Sequence, residues 1–209
     1  MRVLIIGATR GIGLQVLQQA LAKDHVITAL VRFPQKFTLE HERLQVIQGD
    51  ILDHRIVGSA TEDQDVVISC IGIMPTRKPV SVFSAGIKNV LESMDKNRVG
   101  RLISVTGIGA GDSRGHGGFF YDKLFQPLLL NTIYEDKDRE ESLIRDSQVN
   151  WIIVRPGFLT NGPMTGTYRV LTDVTDVKAG KISRADVAHF ILKQLDSSEY
   201  LRRTPLLTY

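Results

Sequence analysis

Residues 7–13 read Gly7-Ala8-Thr9-Arg10-Gly11-Ile12-Gly13, and this stretch decides the fold of the chain. An apolar segment at residues 3–6 precedes it, and residues 11–22 follow with apolar side chains at helical spacing. A glycine-rich turn between a strand and a helix lets the backbone approach a pyrophosphate, and the free N–H groups of the helix start favour negative charge. The stretch therefore predicts a site for the pyrophosphate of a dinucleotide, with a ligand-free glycine turn as the alternative.

Short apolar segments alternate with amphipathic helical segments along the rest of the chain. The predicted strands are residues 3–6, 25–31, 44–47, 66–71, 101–105, 151–154 and a last one at 204–208, and the predicted helices are 11–22, 81–94, 135–147 and one that begins at 183. Most strand segments are apolar on both faces, which is typical of a parallel sheet covered by helices on both sides. The pattern predicts an α/β fold, a doubly wound Rossmann-type parallel sheet with helices on both faces, in a single domain over residues 1–209.

The third predicted helix is unusually rich in charge. Its charged run, residues 135–141, is predicted to be a solvated helix face, apart from Lys137. Leu143 and Ile144 are predicted to point inward and to hold this helix on the sheet.

Composition narrows the range of partners. The 209 residues carry a formal net charge of +3, which is too weak to indicate nucleic acid on its own. The sequence has no apolar run long enough for a membrane span or a signal peptide, and its histidines lack metal-ligand spacing. A single cysteine, Cys70, allows no intrachain disulfide. We expect a cytoplasmic monomer or homodimer that binds a small-molecule substrate, and no nucleic acid, membrane or metal.

The end of the second strand bears on the choice of cofactor. Proteins that bind NAD usually place an acid there to hold the ribose 2′-hydroxyl, but this strand ends Ala29-Leu30-Val31-Arg32. A guanidinium can pair with a 2′-phosphate in a bidentate manner, and Arg10 could be a second clamp. The sequence therefore favours NADP(H) over NAD(H), with a solvated strand-end charge as the alternative role for Arg32.

Two further turns follow predicted strands. Asp50 and Ile51 come after the third strand, where an acid can bond the adenine amino group and an isoleucine can cover the ring. Asp50 could instead be a helix cap. The turn Cys70-Ile71-Gly72 follows the fourth strand and would let the backbone approach the adenosine ribose.

These motifs together resemble a known superfamily. The glycine spacing is similar to that of the short-chain dehydrogenase/reductases, specifically their atypical NmrA-like and biliverdin reductase B (flavin reductase)-like groups, over nearly the whole chain. The segments that carry the resemblance are residues 7–13, 30–32, 49–50, 104–111, 137–141, 151–157 and 183–188. Of these, Trp151-Ile152-Ile153-Val154-Arg155-Pro156-Gly157 and Ser183-Arg184-Ala185-Asp186-Val187-Ala188 are the most specific.

The resemblance implies a role for each matching position. The pyrophosphate would be held by Gly7, Thr9, Arg10, Gly11, Ile12 and Gly13. The 2′-phosphate would be bound by Arg32, the adenine would be contacted by Asp50 and Ile51, and the adenosine ribose would be contacted by Cys70, Ile71 and Gly72. The nicotinamide ribose would be contacted by Thr106 and Lys137, and the nicotinamide would lie beside Pro156. Lys137 is the family's catalytic lysine by its place in the chain.

The sequence departs from the superfamily at the catalytic tyrosine and serine. The usual tyrosine stands four residues before the lysine, and here that position is Ile133. Tyr134 is next to it, about 100° further round a helix, and is expected to point elsewhere. The serine position is Gly107, preceded by Thr106. The catalytic candidates are therefore Lys137, Thr106 and Tyr134, without the standard Tyr-Lys-Ser set.

The loops at 107–130 and 157–180 are expected to form the substrate pocket, because long irregular segments in a compact domain are often functional. They supply Ser113, His116 and Tyr121 as further candidates for polar contacts with a substrate. An exposed histidine without a function is the alternative for His116.

Biliverdin reductase B-like proteins work without that tyrosine on planar conjugated acceptors. The resemblance thus implies an NADPH-dependent reductase of a flavin, quinone or similar small molecule by direct hydride transfer. The alternative is a non-catalytic NADP(H)-sensing NmrA-like regulatory protein. A third option, a sugar-nucleotide epimerase, normally needs the tyrosine and a larger C-terminal substrate domain.

Overall fold

The computed structural model describes residues 1–111, 130–175, 177 and 179–209, which contain both strands and helices. The strands are β1 (Arg2–Ile6), β2 (Val26–Val31), β3 (Leu44–Gln48), β4 (Val66–Ser69), β5 (Arg101–Val105), β6 (Asn150–Pro156), β7 (Phe158–Thr160), β8 (Arg169–Leu171), β9 (Lys181–Ser183) and β10 (Leu206–Thr208). The helices are α1 (Gly11–Leu21), α2 (His54–Thr61), α3 (Val82–Asn97), α4 (Asn131–Asp146) and α5 (Arg184–Lys193).

One eight-stranded sheet has the order β3-β2-β1-β4-β5-β6-β10-β8, while β7 and β9 form a separate parallel pair. Neighbouring strands from β3 to β10 run parallel, and β8 is antiparallel to β10 at the edge. The first six strands follow the doubly wound order, in which the direction of winding reverses between β1 and β4. Ligands in such sheets bind at the carboxyl ends of the strands beside that reversal.

The strands divide the core into two apolar layers because alternate side chains point to opposite faces. Val3 and Ile5 of β1 pack in the layer covered by α1 and α5, whereas Leu4 and Ile6 pack in the layer covered by α2, α3 and α4. All four residues of β4 are buried, so the middle of the sheet is covered on both sides. The predicted doubly wound Rossmann-type fold is therefore confirmed.

Helix α2 and strand β8 differ from the sequence expectation. Helix α2 was not predicted, because its segment His54–Thr61 contains Gly58 and several residues of weak helix propensity. Asp53 compensates by accepting hydrogen bonds from the N–H groups of Arg55 and Ile56 at 3.0 and 3.2 Å. Strand β8 lies inside the segment 160–180 that lacked periodicity, since only three residues pair there with β10.

The prediction for the inward face of α4 is wrong in part. Ile144 is fully buried, but Leu143 is 36% exposed. The inner face of α4 carries Asp136, Glu140 and Glu141, which are buried although their run was predicted to be solvated. Hydrophobic periodicity does not detect charges that are paired inside the protein.

The turn between β1 and α1 gives a prediction about stability. A Cβ on Gly13 would lie 2.2 Å from the carbonyl oxygen of Gly7, so Gly13→Ala must push the helix away from the strand. We expect a loss of about 1–3 kcal/mol in the free energy of unfolding, measured with urea. Gly100→Ala is the matched control, because a Cβ there meets nothing within 4 Å. An equal effect of the two substitutions would contradict this packing.

Candidate functional site

A cavity of about 540 Å³ opens at the carboxyl ends of β1, β2, β4 and β5, beside the point where the winding reverses. Its size is typical of small-molecule and cofactor sites. The predicted cofactor residues that line it are Gly7, Thr9, Arg10, Gly11, Ile12, Arg32, Asp50, Ile51, Cys70, Ile71, Gly72, Thr106, Lys137 and Pro156. Gly13 lies behind this wall, packed against Gly7.

The glycine turn leaves room for an anion at the start of α1. Gly7 has φ +88°, and a Cβ on it would lie 2.6 Å from the carbonyl oxygen of Cys70. No described side chain caps the start of α1, and no acid stands in its first turn. Outside the backbone of α1 and the residues next to Gly11, the described atom that a Cβ on Gly11 would meet within 4 Å is Arg184 Nε, at 3.8 Å. The uncapped N–H groups and the space over Gly11 fit the pyrophosphate of a dinucleotide.

Arg32 and Asp50 stand together at one end of the cavity. Arg32 Nη1 is 4.0 Å from Asp50 Oδ2, and the side chain of Arg32 is 60% exposed. The guanidinium carbon lies 5.8 Å from the ring centre of Phe33, a cavity residue that the sequence did not indicate. Asp50 Oδ1 also accepts a hydrogen bond from the N–H of Leu52 at 3.0 Å, which shapes the turn. This end of the cavity thus offers one partly solvated cation to an incoming group.

Ile51 and Cys70 are apolar parts of the wall. Ile51 is 5% exposed and packs against α3, where a Cβ on Gly86 would lie 2.7 Å from Ile51 Cδ1. Burial raises the pKa of the Cys70 thiol to about 12, although Lys137 partly opposes this. The thiol is therefore protonated at neutral pH and is no nucleophile.

Lys137 projects from α4 to the other end of the cavity. Its Nζ donates to the carbonyl oxygen of Val105 at 3.3 Å and lies 4.1 Å from the ring centre of Phe83 and 3.7 Å from Glu140 Oε2. The side chain is 8% exposed. Phe83 is a second cavity residue that the sequence did not single out. The ammonium is thereby fixed by a carbonyl, an aromatic face and a carboxylate at the end of β5.

Tyr134 lies on the same side of α4 as Lys137, so the expectation that it points elsewhere is wrong. Both residues line the cavity, as does Ile133. Positions three apart on a helix are only about 60° apart around its axis, which brings them onto one face. A Cβ on Gly107 would lie 3.3 Å from the Tyr134 hydroxyl, and one on Gly109 would lie 2.6 Å from its ring. The glycines after β5 thus leave the space that this tyrosine occupies.

Thr106 is oriented by a buried ion pair. Its hydroxyl donates to Glu141 Oε1 at 2.7 Å. The same carboxylate accepts two hydrogen bonds from the guanidinium of Arg155 on β6, at 3.0 and 2.5 Å. Arg155 is 1% exposed and Glu141 is 2% exposed. This bidentate pair fixes α4 to β6 and leaves the Thr106 oxygen free to accept a hydrogen bond.

Glu140 is a second buried carboxyl on α4. Its Oε1 accepts a hydrogen bond from the Ser104 hydroxyl at 2.8 Å, whereas Oε2 has no hydrogen-bond partner among the described residues. Burial raises the pKa of Glu140, and the nearby Lys137 only partly opposes this. Neither Glu140 nor Glu141 was expected inside from the sequence.

Arg184 is a positively charged residue of this site to which the sequence analysis assigns no role. It is the first residue of α5, it lines the cavity, and its Nη1 donates to Asn161 Oδ1 at 2.8 Å. The one signal that could have found it is its place directly after Ser183, the N-cap residue of a predicted helix.

Several expectations lie outside this geometry. Ser113, His116 and Tyr121 fall outside the described residues, as does most of the loop at 107–130. Within residues 1–111, 130–175, 177 and 179–209, no cluster of His, Cys, Asp and Glu has the arrangement of a metal site. The helices found in those ranges are too short or too polar to cross a membrane.

Comparisons with known proteins identify the family and the fold. A family model described as NAD(P)H-binding matches residues 7–198. The chain is 27% identical to YhfK of Bacillus subtilis, described as an uncharacterised sugar epimerase, over all of this chain and 94% of that protein. Among solved structures, ChuY of Escherichia coli O157:H7, described as an anaerobillin reductase, is 25% identical with a TM-score of 0.85 over all of this chain and 97% of that one. A short-chain dehydrogenase/reductase of Veillonella parvula, solved with NADP, is 19% identical with a TM-score of 0.83, over all of this chain and 94% of that one.

The ion pair between Glu141 and Arg155 gives a testable prediction. Glu141→Gln leaves a buried guanidinium without its counter-charge, so we expect the free energy of unfolding to fall by about 3–5 kcal/mol in urea melts. Arg145→Gln is the control, because Arg145 bonds the same carboxylate from the surface at 3.3 Å and should cost less than about 1 kcal/mol. Similar losses in the two variants would show that the buried pair does not hold α4.

Glu140 gives a prediction about pH. Because its pKa is raised in the folded protein, ionising it costs native stability as the pH rises above the unfolded value of about 4.3. Glu140→Gln cannot ionise, so its stability relative to the native protein should increase from pH 4 to pH 8. Urea melts across this range measure the difference, with Glu135→Gln on the exposed side of α4 as the control. A constant difference between Glu140→Gln and the native protein would contradict the raised pKa.

Proposed function

Because the chain belongs to the NAD(P)H-binding family, we propose that it is an oxidoreductase that takes NADPH in preference to NADH and reduces a flavin, a quinone or a similar conjugated small molecule. The observation that supports this most strongly is the single cavity that joins Arg32 and the glycine turn at one end to Lys137 and Tyr134 at the other. The catalytic candidates and the phosphate-binding candidates therefore contact one ligand space.

The preference for NADPH rests on Arg32. The described end of β2 carries no acid, and the guanidinium of Arg32 is partly solvated at the cavity edge. A 2′-phosphate placed there would gain charge-assisted hydrogen bonds from this side chain. The 4.0 Å between Arg32 Nη1 and Asp50 Oδ2 is too long for a hydrogen bond, so this ion pair leaves the guanidinium donors able to reach a ligand.

At the other end, three residues would prepare the reacting ring. When bound, the cofactor supplies a hydride from C4 of its dihydronicotinamide. Lys137 would bond the neighbouring ribose, while Thr106, held by Glu141, would present its oxygen as an acceptor. Pro156 would form the apolar wall beside the ring.

Tyr134 is the side chain best placed to pass a proton. Its hydroxyl stands at Gly107, where the superfamily's serine would be, and it shares the cavity with Lys137. A positioned phenol can donate a proton to a substrate atom as charge develops on it. Where the product is a reduced flavin or quinol, solvent can supply that proton instead.

Several apolar side chains line the cavity, namely Ile73, Val82, Leu130, Ile133 and Leu159. Such a surface suits a flat conjugated molecule. The similar ChuY is described as an anaerobillin reductase, which supports a reductase activity on a small molecule. Leu130 and Leu159 belong to the two loops, 107–130 and 157–180, that we propose as the substrate pocket of a single domain.

The experiment is a fluorescence titration of the protein with NADPH and with NADH, followed by reduction of FMN and dichlorophenolindophenol in the same cuvette. We expect micromolar binding of NADPH, weaker binding of NADH and steady reduction of at least one acceptor. Tight NADPH binding without any reduction would overturn the catalytic proposal and support the non-catalytic NADP(H)-sensing regulator instead. An epimerase would leave both acceptors oxidised and would interconvert sugar nucleotides.

Arg32→Gln tests the cofactor preference. We expect a loss of affinity for NADPH of about 10- to 100-fold, as for a lost charged hydrogen bond, and no change for NADH. Arg55→Gln is the matched control, because Arg55 is exposed on α2 and does not line the cavity. Equal losses for the two nucleotides would remove the role given to Arg32.

A further inference from the structure

The glycine turn faces a second wall, which is provided by the start of α5. Arg184 lines the same cavity as Gly7, Thr9 and Gly11. Its Nε is 3.8 Å from the position that a Cβ on Gly11 would take, and no other described atom outside the backbone of α1 and the residues next to Gly11 lies within 4 Å of that position. The guanidinium therefore borders the space directly over the start of α1.

Arg184 is held in place by its surroundings. Its Nη1 donates to Asn161 Oδ1 at 2.8 Å. The backbone that follows is fixed to α1, because Gln19 Nε2 donates to the carbonyl oxygen of Ala185 at 3.0 Å. Helices α1 and α5 also pack closely along their apolar sides. The distance between the guanidinium and the glycine turn is thus set by the core.

The loop that carries Asn161 is fixed as well. Asp186 accepts hydrogen bonds from the Thr165 hydroxyl and the Gly166 N–H, each at 2.8 Å, and from the Tyr209 hydroxyl at 2.7 Å. Asp186 also stands in the first turn of α5, where it offsets the positive end of the helix dipole. The positive charge that α5 presents to the cavity is therefore the side chain of Arg184.

The charges along the cavity favour an anion at this place. Asp50 is the one acidic residue among the described residues that line the cavity, and it stands beside Arg32. Arg10 flanks the glycine turn on the other side, with its Nη2 3.5 Å from the carbonyl oxygen of Gly72. Two guanidinium groups therefore border the turn, in addition to the uncapped N–H groups of α1.

We propose that Arg184 binds the pyrophosphate of the dinucleotide from the α5 side, so that the diphosphate lies between the starts of α1 and α5. This inference rests on the proposed function, since it takes the cavity to be a dinucleotide site. It assigns the two arginines different tasks: Arg184 recognises the diphosphate common to NADPH and NADH, whereas Arg32 recognises the 2′-phosphate. No contribution to hydride transfer is assigned to Arg184.

The test measures the affinities of Arg184→Gln for NADPH, NADH and adenosine 2′-monophosphate, with Arg32→Gln and Arg55→Gln beside it. We expect the affinity of Arg184→Gln for each dinucleotide to fall about tenfold. Its affinity for adenosine 2′-monophosphate should not change, because this nucleotide has no diphosphate. Arg32→Gln should lose affinity for NADPH and for adenosine 2′-monophosphate, which carry a 2′-phosphate, and should keep its affinity for NADH. Arg55→Gln should change none of the three affinities.

Two further variants separate binding from folding. Arg184→Lys keeps the charge and should recover part of the dinucleotide affinity. Asn161→Ala leaves the guanidinium intact but removes its hydrogen-bond partner. It should therefore lower the affinity for both dinucleotides by less than Arg184→Gln does. In the absence of nucleotide, Arg184→Lys and Asn161→Ala should both unfold at the same midpoint temperature as the native protein.

Each contrary result has a distinct meaning. If the native protein binds both dinucleotides and Arg184→Gln binds them equally well, the assignment of Arg184 is overturned while the proposed function stands. If Arg184→Gln loses affinity for NADPH and adenosine 2′-monophosphate but not for NADH, Arg184 contacts the 2′-phosphate and the assignment is overturned. If the native protein binds neither dinucleotide, the proposed function and this inference both fail.

Discussion

The buried bidentate pair between Glu141 and Arg155 is the interaction on which the rest of the site depends. It joins α4 to β6 inside the protein, and the same carboxylate holds the Thr106 hydroxyl. A buried ion pair adds little net stability, because desolvating two charges offsets most of their attraction. What it provides here is a fixed rotation of α4, since any other rotation would leave a buried charge without its partner. That rotation determines where Lys137 and Tyr134 stand at the cavity.

Other polar contacts along α4 strengthen this constraint. Asp136 accepts a hydrogen bond from the N–H of Phe83 at 2.8 Å, which caps the start of α3 from a neighbouring helix. Glu140 accepts one from Ser104 on β5. Helix α4 is thus attached by polar groups to α3, β5 and β6, and it uses few apolar side chains on its inner face. A helix fixed in this way has a well-defined position, which suits the ligand-binding role that we propose for Lys137 and Tyr134.

The sequence predicts the sheet well because its strands are short, apolar and separated by clear turns. The glycine turn and the residues after β2, β3 and β4 were also predictable, since each follows directly from a strand end and its place in the winding. Prediction failed where a contact joins distant parts of the chain. The buried state of Glu141 depends on Arg155, and the position of Arg184 depends on the packing of α1 against α5. Tyr134 differs for another reason: it is three positions from Lys137 on α4, and this spacing places both side chains at the cavity although Tyr134 is about 100° from Ile133 around the helix.

The raised pKa of the Cys70 thiol affects how well the proposed enzyme would resist oxidation. Reduced flavins and quinols pass electrons to oxygen and release peroxide, which oxidises thiolates to sulfenic and sulfinic acids. With a thiol pKa of about 12, Cys70 is almost entirely uncharged at neutral pH and reacts slowly with peroxide or alkylating agents. The single cysteine of the chain therefore contributes an apolar surface to the pocket while presenting almost no target for the by-products of the reaction.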